Sequence, residues 1–487
     1  MTTEELLDKI REIQVIKSKS KVLEIKAARQ GCPQRLYDTL SSFSNQDDGG
    51  IIIFGVDEED NYKECGVYDP QDIQKKINEQ CKQMVPVIRP LLTVAEKDGL
   101  YFVAAEVPGM DVSDRPCFYG GKGRIKGSYI RIGDSDEPMT EYEIYSYEAF
   151  RKKYQDEIRP VPRASFSVLD SILLGEYVQR LKDNKPNLAA LDDETIYKLM
   201  SITRDGEVSL CSVLLFCKYP QAFFPQLGII AVQVPGVSEL EIDESGKRFL
   251  DNKRIEGTIP EMLEQAIAFV KKHMSQRTVI NPDTGKREDT MEYPITAIRE
   301  AVLNALVHRD YSIHTENKPI QITMYNDRIE IRNPGGIYGR IRVDQLGKIQ
   351  PDTRNPVLAT ALETLDITEN RYSGIPAIRR SMKKLGLREP VFSDEQGTFT
   401  VVLYNDSVSA ETTDNALAIS EEKLLGFLRE PRSRKEIAAF LGLSTTTYAI
   451  STYIQPLVEK GKVRLTEPDN PRSHSQKYVR VGGVMGN

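Results

Sequence analysis

Apolar and polar positions along this chain follow two different periods. Between Tyr293 and Asp310, Ile298, Ala301, Val302, Ala305 and Leu306 recur at spacings of three and four. They therefore form one stripe of a helix. Pro294 suits its first turn, and Thr296 or a neighbour can cap it. Helical spacing also predicts elements over 1–16, Leu36–Phe43, Asp69–Met84, Leu169–Leu181, Asp192–Met200 and Ile259–His273. Alternation or β-branched runs predict strands in IIIFG after the DDGG turn, and over Pro90–Glu96, Tyr101–Val107, Glu207–Phe216 and Leu227–Val234. Gln321–Tyr325 and Arg328–Arg332 alternate and are joined at Asn326-Asp327, which predicts a pair of strands. Gly120–Gly133, GGKGRIKGSYIRIG, reads as a basic glycine-rich hairpin. Two helices, in RNPVLATALETL and in ENRYSGIPAIRRSMKKLGL, precede a strand in FTVVLY.

Breaks in these patterns divide the chain. A charged helix and a proline-bearing connector follow residue 150, and 406–420 carries little apolar pattern. The expected division is an α/β domain over 1–155, an α/β connecting scaffold over 156–290, an α/β domain over 291–405, a linker over 406–420 and a small module over 421–487. The fold class is α/β multidomain, which suits 487 residues.

Composition narrows the partners. The net charge of −7 supplies no global field toward nucleic acid, so any such contact must use local patches. Six cysteines without a CxxC pair argue against a zinc ribbon and a disulfide framework. The N-terminus reads as an acidic amphipathic helix rather than a signal peptide, and no apolar run reaches about 18 residues. No membrane span and a cytoplasmic location are expected.

The helix at Tyr293–Asp310 also carries candidate chemistry. Glu300 and Asn304 are four apart and share a face. A carboxamide oxygen can ligate Mg²⁺, and a carboxylate can orient a water toward a phosphate. The same spacing also suits a solvated face. Asn333-Pro334-Gly335-Gly336 makes a turn where backbone can approach a ligand. Ser373-Gly374 opens a helix whose exposed N–H groups form an anion site. Between Lys17 and Arg35 there are six basic residues and one acid, Glu24, a candidate phosphate-contacting patch.

LEIKAA, LSSFSNQDDGGIIIFGVDE and GSYIRIGDS together resemble the Schlafen AlbA-type domain over about 10–150. The resemblance implies a nucleic-acid-binding α/β domain. In nuclease-active members two Glu and one Asp hold a divalent metal for RNA cleavage. Glu24 and Asp57 match two of these acids. The third falls at Lys19, where an ammonium opposes binding of Mg²⁺ or Mn²⁺.

REAVLNALVHRDY, DRIEIRNPGGI, RNPVLA and RYSGIPAIRRSMKKLG resemble the GHKL, or Bergerat-fold, ATPases. By that resemblance the 291–405 domain is a GHKL-like α/β sandwich that binds ATP with Mg²⁺. Glu300 is the water-orienting acid and Asn304 the Mg²⁺ ligand. Asn333 and Gly335 stand where adenine is held, and Ser373 and Gly374 where the phosphates are covered. Asn333 replaces the usual Asp, and only one glycine of the second motif remains, so binding is expected ahead of fast hydrolysis. His308 is either a phosphate or ribose contact or a structural partner of Asp310.

Residues 421–487 resemble a winged helix-turn-helix, with a local charge of +4 from eleven Lys/Arg and seven Asp/Glu. Ser444–Tyr448 and Ser451–Tyr453 would face a groove, and Arg472, His474 and Lys477 would lie on the wing. The leading expectation is an ATP-binding, nucleic-acid-binding regulator, forming homo-oligomers, in which nucleotide controls presentation of the terminal modules. The alternative is a Schlafen-like metal-dependent endoribonuclease, acting on tRNA or other RNA in defence against phage, with ATP as switch and Lys19 impairing it. A third reading is a nucleotide-gated oligomeric scaffold.

Overall fold

Thr2 caps the first helix through a reciprocal box with Glu5. This α1 (Thr3–Ile16) buries Leu6, Ile10 and Ile13, a stripe at helical spacing. The computed structural model describes residues 1–239, 241–242, 246–280, 287–368, 373–395, 397–405, 424–440, 450–454, 457–458, 462–466 and 476–481. They fall into two compact units, one of Met1–Met110, Asp114–Met139 and Val408–Asn487, the other of Asp111–Ser113 and Thr140–Ser407.

In the first unit β1 (Leu23–Lys26), α2 (Tyr37–Ser44), β2 (Gly50–Phe54), α3 (Pro70–Cys81), β3 (Leu91–Lys97) and β4 (Leu100–Val107) build an α/β domain. The sheet order is β1-β2-β4-β3, with β1 parallel to β2 and the other pairs antiparallel. One apolar cluster joins α2 and α3 to this sheet through Leu40, Phe43, Ile73, Ile77 and Val103. A second joins α1 to it through Leu6, Ile10, Ile25, Ile53 and Phe102. The hairpin expected over Gly120–Gly133 lies further on, as β5 (Tyr129–Ile132) paired with β6 (Ser135–Pro138). The glycine-rich half is a short helical turn instead, over Gly123–Gly127.

The second unit opens with α4 (Glu141–Lys152), capped by Thr140 and Glu143. Next come α5 (Ser171–Asn184) and α6 (Leu210–Phe216). The strand expected over Glu207–Phe216 is therefore mostly α6. Ser209 caps it, and all seven helical residues are buried, which erases the periodic signal that separates helix from strand. Then follow β7 (Ile229–Gln233), β8 (Asp251–Ile255), α7 (Ile259–His273), α8 (Ile295–His308), β9 (Ile320–Met324), β10 (Arg328–Pro334), α9 (Pro356–Thr364), α10 (Gly374–Lys384), β11 (Val391–Glu395) and β12 (Thr398–Tyr404).

One six-stranded sheet runs β8-β7-β9-β10-β12-β11. Only β7 and β9 are parallel, with Ile229 opposite Ile320 and Ala231 opposite Ile322. A division at residue 290 would cut this sheet, because β7 and β8 precede that point and β9 to β12 follow it. The helices α7 and α8 pack on each other, α8 on β10 and α10 on α8. Val302, Leu306, Ile322, Ile331, Leu362 and Ile378 belong to one continuous core. Glu157 is fully buried there and accepts from the N–H groups of Val357 (3.0 Å) and Leu358 (2.7 Å) in the first turn of α9. Burial pushes its carboxyl up to about 7, against those two hydrogen bonds.

At the C-terminal end, α11 (Arg434–Phe440), β13 (Arg432–Ser433), β14 (Val463–Leu465) and β15 (Lys477–Arg480) enclose Leu428, Ile437, Ile454 and Tyr478. Their sheet order is β13-β15-β14. Ser444–Tyr448, Arg472 and His474 lie outside the described residues, and Lys477 opens β15. All six cysteines are free thiols. Among the described residues, no helix is long and apolar enough to cross a membrane.

Candidate functional site

The buried stripe of α8 fixes which face the helix turns away from its core. Glu300, Asn304 and His308 follow one another at four-residue steps along that face. Pro294 stands at the N-cap and contributes no side-chain hydrogen bond, and Thr296 lies inside the helix. Asn304 and His308 line a cleft together with Ala301 and Ala305. The cleft's other lining comes from Ile331 and Asn333 of β10, Gly335–Tyr338 and Ile341 after it, Ile375 and Ile378 of α10, and Phe399 and Val401 of β12. About 120 Å³ is enclosed. Typical small-molecule sites hold roughly 300–1,000 Å³, so a flat apolar fragment would be enclosed and the rest of a larger ligand left outside.

Two unpartnered polar atoms mark the cleft. Asn333 is 4% exposed, and its Oδ1 has no hydrogen-bond partner. The Nδ2 of Asn304 is equally buried and unpartnered. Buried polar atoms are ordinarily satisfied, so each is suited to a ligand. Between them runs an apolar slot of isoleucines, Phe399 and Val401.

The start of α10 closes against the helix. A methyl group on Gly374 would lie 2.7 Å from Asn304 Nδ2 and 3.1 Å from Glu300 Oε2. A side chain at this position would have to displace the ends of Asn304 and Glu300. Ser373 precedes it as N-cap without a side-chain hydrogen bond. The first N–H groups of α10 thus lie beside Glu300 and Asn304, a favourable place for an anion.

His308 opens into the cleft and does not pair with Asp310. Its imidazole is held below the usual range, first by the surrounding protein and then by Arg354. The residue is exposed and lines the cleft. Asp310 instead accepts from Tyr142 Oη (2.8 Å) and Ser312 N (2.8 Å), and pairs with Arg354 Nη1 (2.8 Å). Burial alone would raise its pKa, but Arg354 and these hydrogen bonds hold it below the carboxylate range. Arg354 also donates to Gly336 O (2.9 Å). Gly335 has φ +105, and a methyl there would meet Asp310 Cβ at 2.6 Å. Asp394 accepts from Ile337 N (2.8 Å) on the far side of the turn. Asn355 Nδ2 donates to the carbonyls of Val307 (2.8 Å) and Arg309 (2.7 Å), closing the C-terminal end of α8.

Arg309 is buried and donates to the carbonyls of Thr315 and Lys318, a structural role. Tyr142, Arg354 and Asp394 were not singled out from sequence. Only Arg354 left a signal, in the RNPVLA stretch.

In the first unit Glu24 is 3% exposed and ringed by cations. Lys19 Nζ lies 2.8 Å away, Lys26 Nζ 2.9 Å and Arg131 Nη2 2.8 Å. Lys19 also reaches Glu58 at 2.5 Å. Burial alone would lower the Lys19 ammonium, but Glu24 and Glu58 raise it overall. Burial alone would raise Glu24, but Lys19 and Lys26 lower it overall. Asp57 accepts from Glu59 N (3.1 Å) and Asp60 N (3.4 Å) in a turn. The acid sharing Lys19 with Glu24 is therefore Glu58. Among the described residues, no group of three or more His, Cys, Asp or Glu could hold a metal. Part of the basic patch over Lys17–Arg35 is thus neutralised within the domain.

Three family models match separate stretches of the chain. Residues 14–140 match the family model described as Schlafen, AlbA_2. Residues 317–403 match the one described as putative ATP-dependent DNA helicase recG C-terminal, of the HATPase_c type. The chain carries a Schlafen AlbA_2 domain and an ATPase-like domain. Residues 421–480 match the C-terminal domain of Fic-like proteins, described as filamentation induced by cAMP. The ATPase-like match begins after α8, so Glu300, Asn304 and His308 lie outside it. No curated protein matches the chain. Two solved structures align with parts or all of the chain at low structural scores. The DIP2311 protein of Corynebacterium diphtheriae shares 17% identity at a TM-score of 0.39, covering 99% of this chain and 98% of that one. The N-terminal domain of a putative ATP-dependent DNA helicase RecG-related protein from Nitrosomonas europaea shares 27% identity at a TM-score of 0.23, covering 29% and 94%.

Proposed function

We propose that this protein is an ATP-binding, nucleic-acid-binding regulator, with a GHKL-type nucleotide site in the second unit. The observation that carries the reading is the close approach of Gly374 to Glu300 and Asn304, with Asn304 lining a cleft that also holds the unpartnered Asn333 Oδ1. Adenine offers an amino group that Asn333 can accept from, and the apolar slot suits its faces. The start of α10 offers N–H groups to phosphates. Asn304 would hold Mg²⁺, which would neutralise phosphate charge during hydrolysis. Glu300 would orient the attacking water. His308, held neutral, would contact ribose without adding charge.

Nucleic acid would engage the AlbA_2 domain, and the C-terminal module, read as a winged helix, would contact DNA or a partner. Nucleotide would bias the presentation of these modules through different affinities for two arrangements of the chain. The endoribonuclease reading is the weaker, because Glu24 is already neutralised by three cations.

Calorimetric titration with ATP and Mg²⁺ tests the core of this proposal. The wild-type protein is expected to bind and Asn304→Ala to bind far less. Absence of binding by the wild-type protein would overturn it. Titrating nucleic acid with and without ATP tests the coupling, which fails if the two affinities agree.

A further inference from the structure

A second feature lies in the first unit, away from Glu24. Tyr37, at the start of α2, stacks on Tyr119 with centroids 4.5 Å apart and planes at 12°. Tyr129 lies 6.0 Å from Tyr37. Cations cover this tyrosine group. Lys122 Nζ sits 4.6 Å from the Tyr37 centroid and Arg35 Cζ 5.4 Å from it. Arg124 covers the neighbouring Phe118 at 5.5 Å.

The glycine-rich turn is shaped around this group. A methyl on Gly121 would fall 2.6 Å from the Tyr119 ring, and one on Gly127 2.6 Å from the Tyr119 carbonyl oxygen. Small residues at both positions let the backbone wrap Tyr119 and hold Lys122 and Lys126 at the surface. Ile125 between them is 63% exposed. Arg35 pairs with Asp38, but among the described residues no carboxylate pairs with Lys122 or Lys126. This is the reverse of Lys19 and Lys26, whose charges are consumed by Glu24 and Glu58.

We propose that the Tyr37–Tyr119 pair, with Lys122 and Lys126, is a stacking site for an unpaired base of single-stranded nucleic acid. The inference rests on the nucleic-acid-binding reading above and says where and in what form the strand is held. A stacked tyrosine offers its face to any base, and a duplex hides base faces inside its stack. Lys122 is an exposed ammonium hydrogen-bonded to the Tyr37 and Tyr129 side chains, so an entering base would turn it from them toward the adjoining phosphate. Lys126 continues the charge along the strand.

Fluorescence anisotropy with labelled oligo-U, oligo-dT and a duplex of equal length tests this on the full chain. Single strands are expected to bind more tightly than the duplex. Tyr37→Leu, which keeps bulk without a π face, is expected to weaken them roughly 10- to 100-fold. Tyr37→Phe is expected to bind like wild type, which controls for misfolding. Lys122→Ala with Lys126→Ala is expected to lower the slope of log K against log salt by about 1.4. If wild type binds neither single strand nor duplex, the nucleic-acid reading itself fails. If wild type binds and neither Tyr37→Leu nor the double lysine variant changes affinity or salt slope, the reading stands and this site is wrong. Preference for the duplex, unaltered by Tyr37→Leu, also overturns the site.

Discussion

The ammonium of Lys19 lies 2.8 Å from Oε1 of Glu24. It stands where the nuclease-active relatives implied by the sequence resemblance carry an acid. Exchanging it for an acid takes one of three cations from buried Glu24 and sets a further carboxylate beside Glu24 and Glu58. Lys19→Glu is therefore expected to lower the melting temperature in metal-free buffer, and Mn²⁺ to recover part of the loss. Wild type should show no Mn²⁺ effect in the same thermal-shift assay. Cleavage of tRNA by the variant alone would mark a nuclease scaffold disabled at one position.

Glu300 and Asn304 should separate by function. Glu300→Gln keeps shape and removes the base, so ATP binding should persist while any hydrolysis falls by about 10²-fold or more. Asn304→Ala should lose the Mg²⁺ dependence of binding. Calorimetry and phosphate release read the two effects independently.

At Gly374 the contact is steric. Gly374→Ala would press a methyl to 2.7 Å from Asn304 Nδ2. Either the Asn304 and Glu300 side chains swing aside or the start of α10 moves off α8, and in both cases ATP affinity should drop, which the same calorimetric titration would register.

Tyr142 holds the rim indirectly. Tyr142→Phe removes a hydrogen bond to a buried charged carboxylate, worth about 1.5 kcal/mol or more. Thermal stability of the second unit should fall, with ATP affinity following by several-fold as the Asp310–Arg354–Gly336 chain loosens.

Glu157 predicts a pH dependence of unusual sign. Its folded pKa, about 7, lies above the unfolded value of about 4.3. The folded state therefore binds more protons between those values, and stability falls as pH rises through that window. Above about pH 7 the loss is nearly complete, at roughly 4 kcal/mol. The difference in urea stability between wild type and Glu157→Gln, measured from pH 5 to 8, should shrink or reverse with rising pH. A flat difference would rule out Glu157 as the titrating group.

The helix α8 was legible because everything that defines it is local: a stripe at three and four, and two polar residues one turn apart. The same holds for α1, α3 and the strand pair β3–β4, whose ends are displaced by one to three residues. What escaped was non-local. The parallel register of β7 on β9 leaves no trace in either segment, so the sheet was divided at residue 290. The Asp310–Arg354 pair likewise joins two motifs that each look self-contained. Glu58 rather than Asp57 reaches Lys19, because Asp57 ends a two-residue strand and Glu58 lies in the turn after it. Ser209, a good N-cap, was the available signal for α6 against its β-branched neighbours.

Both ends of the segment from Ile337 to Thr353 are tied to the same end of α8, through Gly336 and Arg354 on Asp310 and through Asn355 on Val307 and Arg309. The segment is thus a closed loop whose anchors do not depend on its length. Doubling such a loop costs only about 0.6 kcal/mol in closure entropy. Evolution or design can therefore lengthen, shorten or resequence this loop, and so change what the cleft admits, while α8 and its Glu300–Asn304 pair stay as they are.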